Sequence, residues 1–326
     1  MTASQPNSLT LFSRDNETGE VQELPLGTRF ITPEQRQNAL EACKARRERE
    51  SKQALIDAHR ANQRRTLGTF CFLNVNDAFT DVSPPTVAKI VMLASYADFR
   101  RQLMLTAKTP MKRADISKVL GLSRSGAYKF WNDVNGRFFT ENENHFVYLN
   151  TPNIFRGKIP KDLYNKHLQK VYIKTVRELY RQTSTHKHKQ LGYIFQLLQY
   201  VNLEFNILCV DPFQDRLEDI EPLTVQQLCW LIGYNTTQAK RLTNDLKSLK
   251  YCYHGRSEYL LAYVDNGEAA HDSKRIFVNP HIVYNGSDYR RVEILGSFCS
   301  ADKESSTFCR HEKSALFQPV SSVSYG

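Results

Sequence analysis

The sequence predicts a mainly α-helical fold with small β wings, which places the chain in the α+β class. A pattern of two short helices joined by a glycine occurs at residues 111–130 and again 112 positions later, within residues 223–249. Each copy is followed by strand-like runs that flank a more polar segment. The repeated order of helix, turn, helix and hairpin predicts tandem winged helix-turn-helix modules, and a basic helix is predicted to join them.

The composition favours a folded protein with an anionic partner. The 326 residues are 41% hydrophobic, which is enough for about two domains with a buried core. Lys and Arg number 44 against 34 Asp and Glu, so the formal net charge is +10. Such a surplus favours nucleic acid or an anionic surface as partner, although solvated Lys and Arg are common on every protein surface.

The sequence has neither a membrane span nor a secretory signal in its pattern. No run of 18 apolar residues occurs, and residues 1–12 lack both a basic start and an apolar stretch. We therefore expect a cytoplasmic protein without membrane contact.

The seven cysteines predict free thiols in a reducing compartment, because none of them forms a CxxC pair. Two groups come nearest to a metal cluster. They are Cys252 with His254, and Cys299 with Cys309 and His311. Neither group has the paired spacing of a zinc site, so we expect no metal and no cofactor.

Changes in composition along the chain predict six segments. Ser83, followed by Pro84 and Pro85, marks the start of a helix, with the serine as its cap and a proline in its first turn. The six segments are a flexible N-terminal arm (1–33), a charged helix (34–66), a first winged helix-turn-helix module (84–157), a basic connecting helix (160–189), a second such module (190–298) and a flexible tail (299–326).

The charged helix is polar on nearly all sides. From residue 36 to residue 65 it carries nine basic and four acidic residues. Such a helix is either a solvated extension or a segment that a partner orders. DNA contact by Arg46, Arg47 and Arg49 is the alternative to the solvated extension.

The first glycine-linked pair of helices has an apolar inner face and a polar outer face. Ile116 and Leu120 face inward, Gly121 makes the turn, and Ser123 or Ser125 caps the second helix. The outer face of the second helix carries groups that can reach base edges and phosphates from the major groove. These predicted DNA-binding residues are Arg124, Ser125, Tyr128 and Lys129.

A shift of 112 residues reproduces this pattern in the second half of the chain. Leu228, Ile232 and Gly233 take the places of Ile116, Leu120 and Gly121. Two copies in register are much harder to obtain by chance than one, since many helix pairs turn on a glycine. The predicted DNA-binding residues of the second copy are Thr236, Thr237, Lys240 and Arg241.

Strand-like runs after each copy predict a β-hairpin wing. Residues 138–139 and 146–149 flank the first wing, and residues 251–253 and 276–278 flank a longer second wing that contains residues 259–264. Each hairpin ends in a similar box, at 150–157 and at 279–286. Because Asn and Pro end strands and Gly ends a turn, we interpret the box as structural.

Five basic residues in the predicted connecting helix are spaced by 4, 4, 3 and 4 positions, which would place them on one stripe. The stripe is either a solvated face or a clamp on the DNA backbone between the modules, in which case it would steepen the salt dependence of binding. Its members are Lys166, Lys170, Lys174, Arg177 and Arg181.

The box at 275–288, together with the motif at 223–249, resembles the winged-helix region of RepL-type plasmid replication proteins of Gram-positive bacteria and of related phage DNA-binding proteins. The resemblance covers residues 190–298, and its most specific part is 278–286 followed by 292–298. Members of that family are shorter and carry one winged helix. The resemblance implies binding to double-stranded DNA and replication of a mobile element, and this chain departs from the family's pattern in its second predicted module.

Four functions remain as hypotheses. The first is a replication initiator or origin-binding protein, and the second is a transcriptional regulator of a mobile element; replication or transcription proteins would then be further partners. The third is a nuclease or nicking enzyme, for which the acidic residues of 211–221 offer a cluster of carboxylates, without a histidine pair or a phosphate loop. The fourth is a protein-binding adaptor. The charge and the repeated motif favour a DNA-binding protein that is not an enzyme, and its oligomeric state is left open.

Overall fold

The computed structural model describes residues 12–15, 17–23, 32–74, 79, 81–164, 166–253, 255–264, 275–286 and 298–299. Within these residues the fold is α+β, with helices and small antiparallel sheets of two or three strands. The expected tail lies outside the described residues from residue 300 onward, as do Cys309, His311 and His254. No helix in the described ranges has the length and apolar character that crossing a membrane requires.

The chain divides into two compact units, 1–58 and 59–326. In the first, strands β1 (Phe12–Arg14) and β2 (Val21–Glu23) form an antiparallel hairpin. Helix α1 (Pro33–Leu67) begins in the first unit and ends in the second. Its bounds confirm the predicted charged helix, and Arg46 and Glu50, one turn apart, form an exposed ion pair at 2.8 Å.

The second unit contains all the other elements. The strands are β3 (Phe70–Asn74), β4 (Phe139–Glu141), β5 (Val147–Leu149), β6 (Ile154–Phe155), β7 (Leu168–Tyr172), β8 (Lys250–Tyr253), β9 (Arg256–Tyr259), β10 (Leu261–Val264) and β11 (Arg275–Val278). The helices are α2 (Pro84–Ala94), α3 (Ile116–Leu120), α4 (Arg124–Val134), α5 (Ile173–Gln182), α6 (His188–Leu197), α7 (Val225–Leu231) and α8 (Ala239–Lys247). Short 3-10 turns link several of them.

The prediction of one basic connecting helix over 160–189 is wrong. After a 3-10 turn at Lys161–Leu163, residues 168–172 form strand β7, and helix α5 begins only at Ile173 and ends at Gln182. Val171 and Tyr172 have strand-forming side chains, and β7 pairs antiparallel with β3. The sequence pattern predicts no strand before α2 and therefore no pairing partner for β7. Without that partner, the 3.6-residue spacing of the basic residues predicts a helix where the chain forms a strand.

Two halves of the second unit share one construction. Each has a first strand (β3 or β7), a helix, an edge segment (101–103 or 206–208), a pair of helices joined by a glycine, a hairpin and a closing segment that pairs with the first strand. The edge segments make matching hydrogen bonds: Leu149 N donates to Arg101 O and Val278 N donates to Asn206 O, both at 2.8–2.9 Å. Arg101 and Asn206 also share a rare left-handed backbone, with φ of 67° and 57°.

The closing segments of the two halves also pair in equivalent ways. Strand β6 pairs with β3 in the first half, and Val283 pairs with Val171 of β7 in the second. Asn74 N donates to Asn153 O at 2.8 Å, and the equivalent bond joins Tyr172 N to Ile282 O at 2.9 Å. The boxes at 150–157 and 279–286 are thus the segments that return each half to its own first strand.

An approximate two-fold axis relates β3 and β7, the first strands of the two halves. Leu73 of β3 and Val171 of β7 each pair with the closing segment of their own half, so these two residues are equivalent. Their neighbours Phe72 and Lys170 are then equivalent as well. In the antiparallel β3–β7 ladder, Phe72 and Lys170 are direct partners, and each further pair is exchanged by the same alignment. The equivalent helices α2 and α6 likewise pack against each other. The halves therefore resemble the protomers of a symmetric dimer joined in one chain.

The second half carries two insertions. Helix α5 lies between β7 and α6, and hairpin β8–β9 lies between α8 and the hairpin β10–β11. The prediction that residues 251–253 pair across a single wing with 276–278 is wrong, because β8 pairs with β9 and β11 pairs with β10. The insertions contact each other, since the Gln182 side chain bonds both the N–H and the C=O of Cys252.

The two predicted modules share one hydrophobic core. The core cluster includes Phe130 and Trp131 from α4 as well as Leu242 and Leu246 from α8, joined through α2, α5 and α6. Gly192 of α6 lies directly against the backbone of Pro84, so that a Cβ atom there would lie 1.8 Å from the Pro84 carbonyl oxygen. Close approach of α2 and α6 requires a glycine at this position.

Two buried histidines make stability depend on pH. Burial lowers the pKa of both His167 and His188 below the ordinary value. As the pH falls below about 6.5, the unfolded chain takes up protons that the folded chain resists. We therefore expect the two histidines to leave the free energy of unfolding undiminished above that pH and to lower it below that pH. Urea unfolding at a series of pH values measures this change.

Single variants isolate this effect. His188→Gln should make the pH dependence shallower, whereas His186→Gln, at an exposed position, should leave it unchanged. Equal slopes in the two variants would contradict the assignment to His188.

Candidate nucleic-acid interface

The first pair of helices is α3 and α4, and its turn has the geometry that the sequence predicts. Gly121 is left-handed, with φ of 64°, and its N–H donates back to the Ser117 carbonyl at the end of α3. Ser123 caps α4 by accepting a hydrogen bond from Gly126 N at 3.1 Å. Ile116 and Leu120 are buried, so α3 packs its inner face against the core.

The outer face of α4 carries the predicted residues. Arg124, Ser125, Tyr128 and Lys129 are all exposed, and 59% of Tyr128 is accessible. The hydroxyl groups of Ser125 and Ser123 lie 3.2 Å apart, so Ser125 also supports the cap. Phe130, Trp131 and Val134 occupy the inner face, and their burial fixes which side of α4 faces solvent.

The second pair, α7 and α8, has the same construction. Gly233 has φ of 64°, and the Asn235 side chain accepts hydrogen bonds from the N–H and the hydroxyl of Thr237, at 3.0 and 2.9 Å. Thr236 and Thr237 lie on a 3-10 turn that continues into α8. All four predicted residues of this copy are exposed: Thr236, Thr237, Lys240 and Arg241.

The basic groups of the two outer faces are available for a ligand. Within the described part of the chain, Arg124, Lys129, Lys240 and Arg241 form neither a salt bridge nor a side-chain hydrogen bond. Two other cations of these segments contact aromatic rings instead. Arg113 lies over the Trp131 ring and Lys247 over the Tyr263 ring. The four free cations therefore supply the positive charge that α4 and α8 present.

The two turn glycines should resist substitution through backbone strain alone. No atom lies within 4 Å of a Cβ added at Gly121 or at Gly233, so space is not the constraint. Because a β-branched residue is strained at φ of 64°, Gly121→Val and Gly233→Val should each lower the free energy of unfolding by about 1–2 kcal/mol. Urea unfolding measures the loss, and a cost below the error of the measurement would contradict the strain argument.

The five basic residues predicted on one stripe are distributed over three elements. Lys166 precedes β7, Lys170 lies on β7, and the other three lie on α5. Lys170 is half-buried, and its Nζ donates to the Asn285 carbonyl at 3.0 Å. Burial lowers the pKa of its ammonium group. Lys170 therefore holds the closing segment of the second half to β7, and it is not available as predicted.

Arg177 is partly buried and Arg181 is exposed, and both contact the residues at the C-terminal end of α2. The Arg177 guanidinium donates to the hydroxyl and the carbonyl of Ser95, at 3.0 and 2.7 Å, and lies 3.8 Å from the centre of the Tyr96 ring. Arg181 donates to the Tyr96 hydroxyl at 2.6 Å. Together with Tyr180, whose hydroxyl donates to the Leu120 carbonyl at 3.3 Å, they join α5 to the first half. The prediction of a single helical stripe of five basic residues is therefore wrong, because Lys166 and Lys170 lie outside α5.

This geometry predicts a loss of stability where the stripe predicted a loss of DNA affinity. Arg177→Gln removes charge-assisted hydrogen bonds to Ser95, which should lower the free energy of unfolding by about 1–3 kcal/mol. Lys174→Gln, on the exposed side of α5, should change it by less than about 0.5 kcal/mol. Thermal unfolding of the two variants compares them. Equal melting temperatures would mean that Arg177 does not brace α5.

Two further exposed residues were not identified from the sequence. Lys118 lies on α3, and Trp230, which is 77% exposed, lies on α7. The 112-residue shift that aligns the motifs also aligns these two positions, so the repeat contained the signal. Both lie on the first helix of a pair, beside the outer face of the second.

The acidic loop has local structural roles. The Asp211 carboxylate accepts hydrogen bonds from Phe213 N and from the Gln214 side chain, at 3.0 and 2.9 Å. In the residues that the structure describes, no group of three or more His, Cys, Asp or Glu side chains could hold a metal ion. The six described cysteines are all free thiols.

No protein-family model matches the chain, and neither does any curated protein or solved structure. The resemblance to RepL-type replication proteins therefore stays a prediction that depends on the sequence boxes alone. Part of its specific segment, 287–297, lies outside the described residues.

Proposed function

We propose that the chain is a double-stranded-DNA-binding protein with two winged helix-turn-helix modules, and that α4 and α8 are its recognition helices. The observation that carries the proposal is the repeated outer face. Twice, after a left-handed glycine, an exposed helix presents two free cations and several hydroxyl groups. Such groups contact phosphates and base edges when a helix enters the major groove.

The hairpins support the same proposal. In the first half, β4 and β5 follow α4, and the edge segment at 101–103 pairs with β5. In the second half, the segment at 206–208 pairs with β11 in the same way. The order of helix, edge segment, helix pair and hairpin in both halves supports the proposal that each half is a winged helix.

We further propose that the target is the replication origin of a plasmid or phage, which the RepL resemblance implies. A regulator of transcription would bind a promoter through the same two helices, because a fold does not determine which DNA site is bound. Genome-wide mapping of bound sites on the host element separates the two roles, since an origin or a promoter would be recovered.

Electrophoretic mobility shift with duplex fragments tests DNA binding itself. We expect retention at low salt and a steep loss of affinity as salt increases, because each neutralised phosphate releases counterions. The full chain with Arg124, Lys129, Lys240 and Arg241 changed to Ala serves as the matched control. Retention that is absent at low salt, or equal in the control, would exclude the proposed function and favour a protein-binding adaptor.

A further inference from the structure

We infer that the chain reads two unlike half-sites placed in opposite orientations, that is, an imperfect inverted repeat of duplex DNA. This inference rests on the proposed DNA-binding function and extends it to the class of target. The observation that carries it is the approximate two-fold axis through the Phe72–Lys170 pair.

Hydrogen bonds connect each proposed reading head, that is, a helix pair with its hairpin, to the strand that lies at this axis. In the first half, β3 pairs with β6, and Asn150 N donates to the Phe138 carbonyl just after α4. The edge segment then ties the wing to the first helix of the pair: Leu103 N donates to Val147 O, and Met111 N donates to Leu103 O, at 2.9 and 2.8 Å. The orientation of the head is therefore fixed relative to β3, the first strand of its half.

The second half repeats these connections. Leu208 N donates to Ile276 O and Leu223 N donates to Leu208 O, at 2.8 and 2.9 Å. Leu223 corresponds to Met111 by the same 112-residue shift that aligns α4 with α8. Because β3 and β7 pair antiparallel in symmetric register, the operation that exchanges them also exchanges α4 and α8.

The symmetry of duplex DNA then decides the orientation of the half-sites. A duplex has two-fold axes perpendicular to its length that exchange its strands. If two heads are related by a two-fold axis and dock in the major groove in the same way, their axis must coincide with a two-fold axis of the duplex. The two heads then read opposite strands. Reading a direct repeat would instead require the heads to be related by a translation along the duplex.

The half-sites should differ in sequence, because the equivalent side chains differ. Arg124, which can pair with a guanine through two hydrogen bonds, corresponds to Thr236. Tyr128 corresponds to Lys240, and only the pair Lys129 and Arg241 keeps its charge. A search for a perfect palindrome would therefore miss this target.

Affinity cleavage with two equivalent tethers tests the orientation. Asn132→Cys and Asn244→Cys place single thiols at equivalent exposed positions near the ends of α4 and α8. Each is made in the full chain with Cys43, Cys252, Cys299 and Cys309 changed to Ser, since the other three cysteines are buried. The thiol carries iron–EDTA, and the probe is a duplex that the wild-type chain selects from a random library.

We expect the strongest cleavage by the two tethers on opposite strands, with one pattern becoming the other when the duplex is turned end for end. Patterns on the same strand, displaced by one helical turn, would overturn the inference while leaving DNA binding intact. Cleavage from one tether only would also overturn it. If the library yields no bound duplex at low salt, the proposed function itself fails.

Discussion

Arg124→Ala with Lys129→Ala should weaken specific DNA binding by about 2 kcal/mol or more, which is about thirtyfold in the dissociation constant. Both side chains are exposed on α4 and free of partners among the described residues, so their removal leaves no buried group unsatisfied. The fold should therefore persist. Lys240→Ala with Arg241→Ala on α8 should have a comparable effect, and quantitative footprinting at fixed salt measures both.

The two double variants also distinguish the heads. Each should lose protection mainly over its own half-site, because each head has its own recognition residues. Lys158→Gln with Lys161→Gln serves as the matched control, since it removes the same charge from exposed positions outside α4, α8 and the predicted basic stripe. Unchanged footprints in both double variants, or an equal loss in the control, would remove α4 and α8 from the interface.

Gly192→Ala should destabilise the second unit by about 3 kcal/mol or more. The added Cβ would lie 1.8 Å from the oxygen and 2.3 Å from the carbon of the Pro84 carbonyl, and backbone atoms cannot move away as a side chain can. Helices α2 and α6 would have to separate, which opens the core that both halves share. The midpoint of urea unfolding, or loss of soluble folded chain, measures the effect.

Gly121→Ala is the control for this substitution. At Gly121 the new Cβ would meet no atom within 4 Å, so only the left-handed backbone opposes it, at about 1 kcal/mol. If Gly192→Ala were as stable as Gly121→Ala, the close contact of α2 with Pro84 would not limit the packing of the two halves.

The features that depend on local chemistry could be predicted from the sequence. A glycine that favours a left-handed turn, a serine that caps α4 and an apolar inner face identified both helix pairs to within a few residues. The 35-residue helix α1 was equally evident, because its composition contains almost nothing but helix formers.

The features that depend on distant partners could not be predicted. Strand β7 forms because β3 lies beside it, and the separation of about 100 residues hides this from any local pattern. The orientation of Arg177 is a similar case, since its binding site is the carbonyl end of α2. A basic residue at helical spacing predicts a charged surface, but tertiary contacts decide whether the side chain turns inward.

The union of the two halves in one polypeptide has an evolutionary consequence. In an ordinary homodimer a single mutation changes both subunits at once, so the recognised DNA halves must remain alike. Here Tyr128 and Lys240 are encoded by separate codons, and either can change without the other. Under the proposed DNA-binding function, such a chain can thus acquire new half-sites one at a time while the common core keeps the geometry constant.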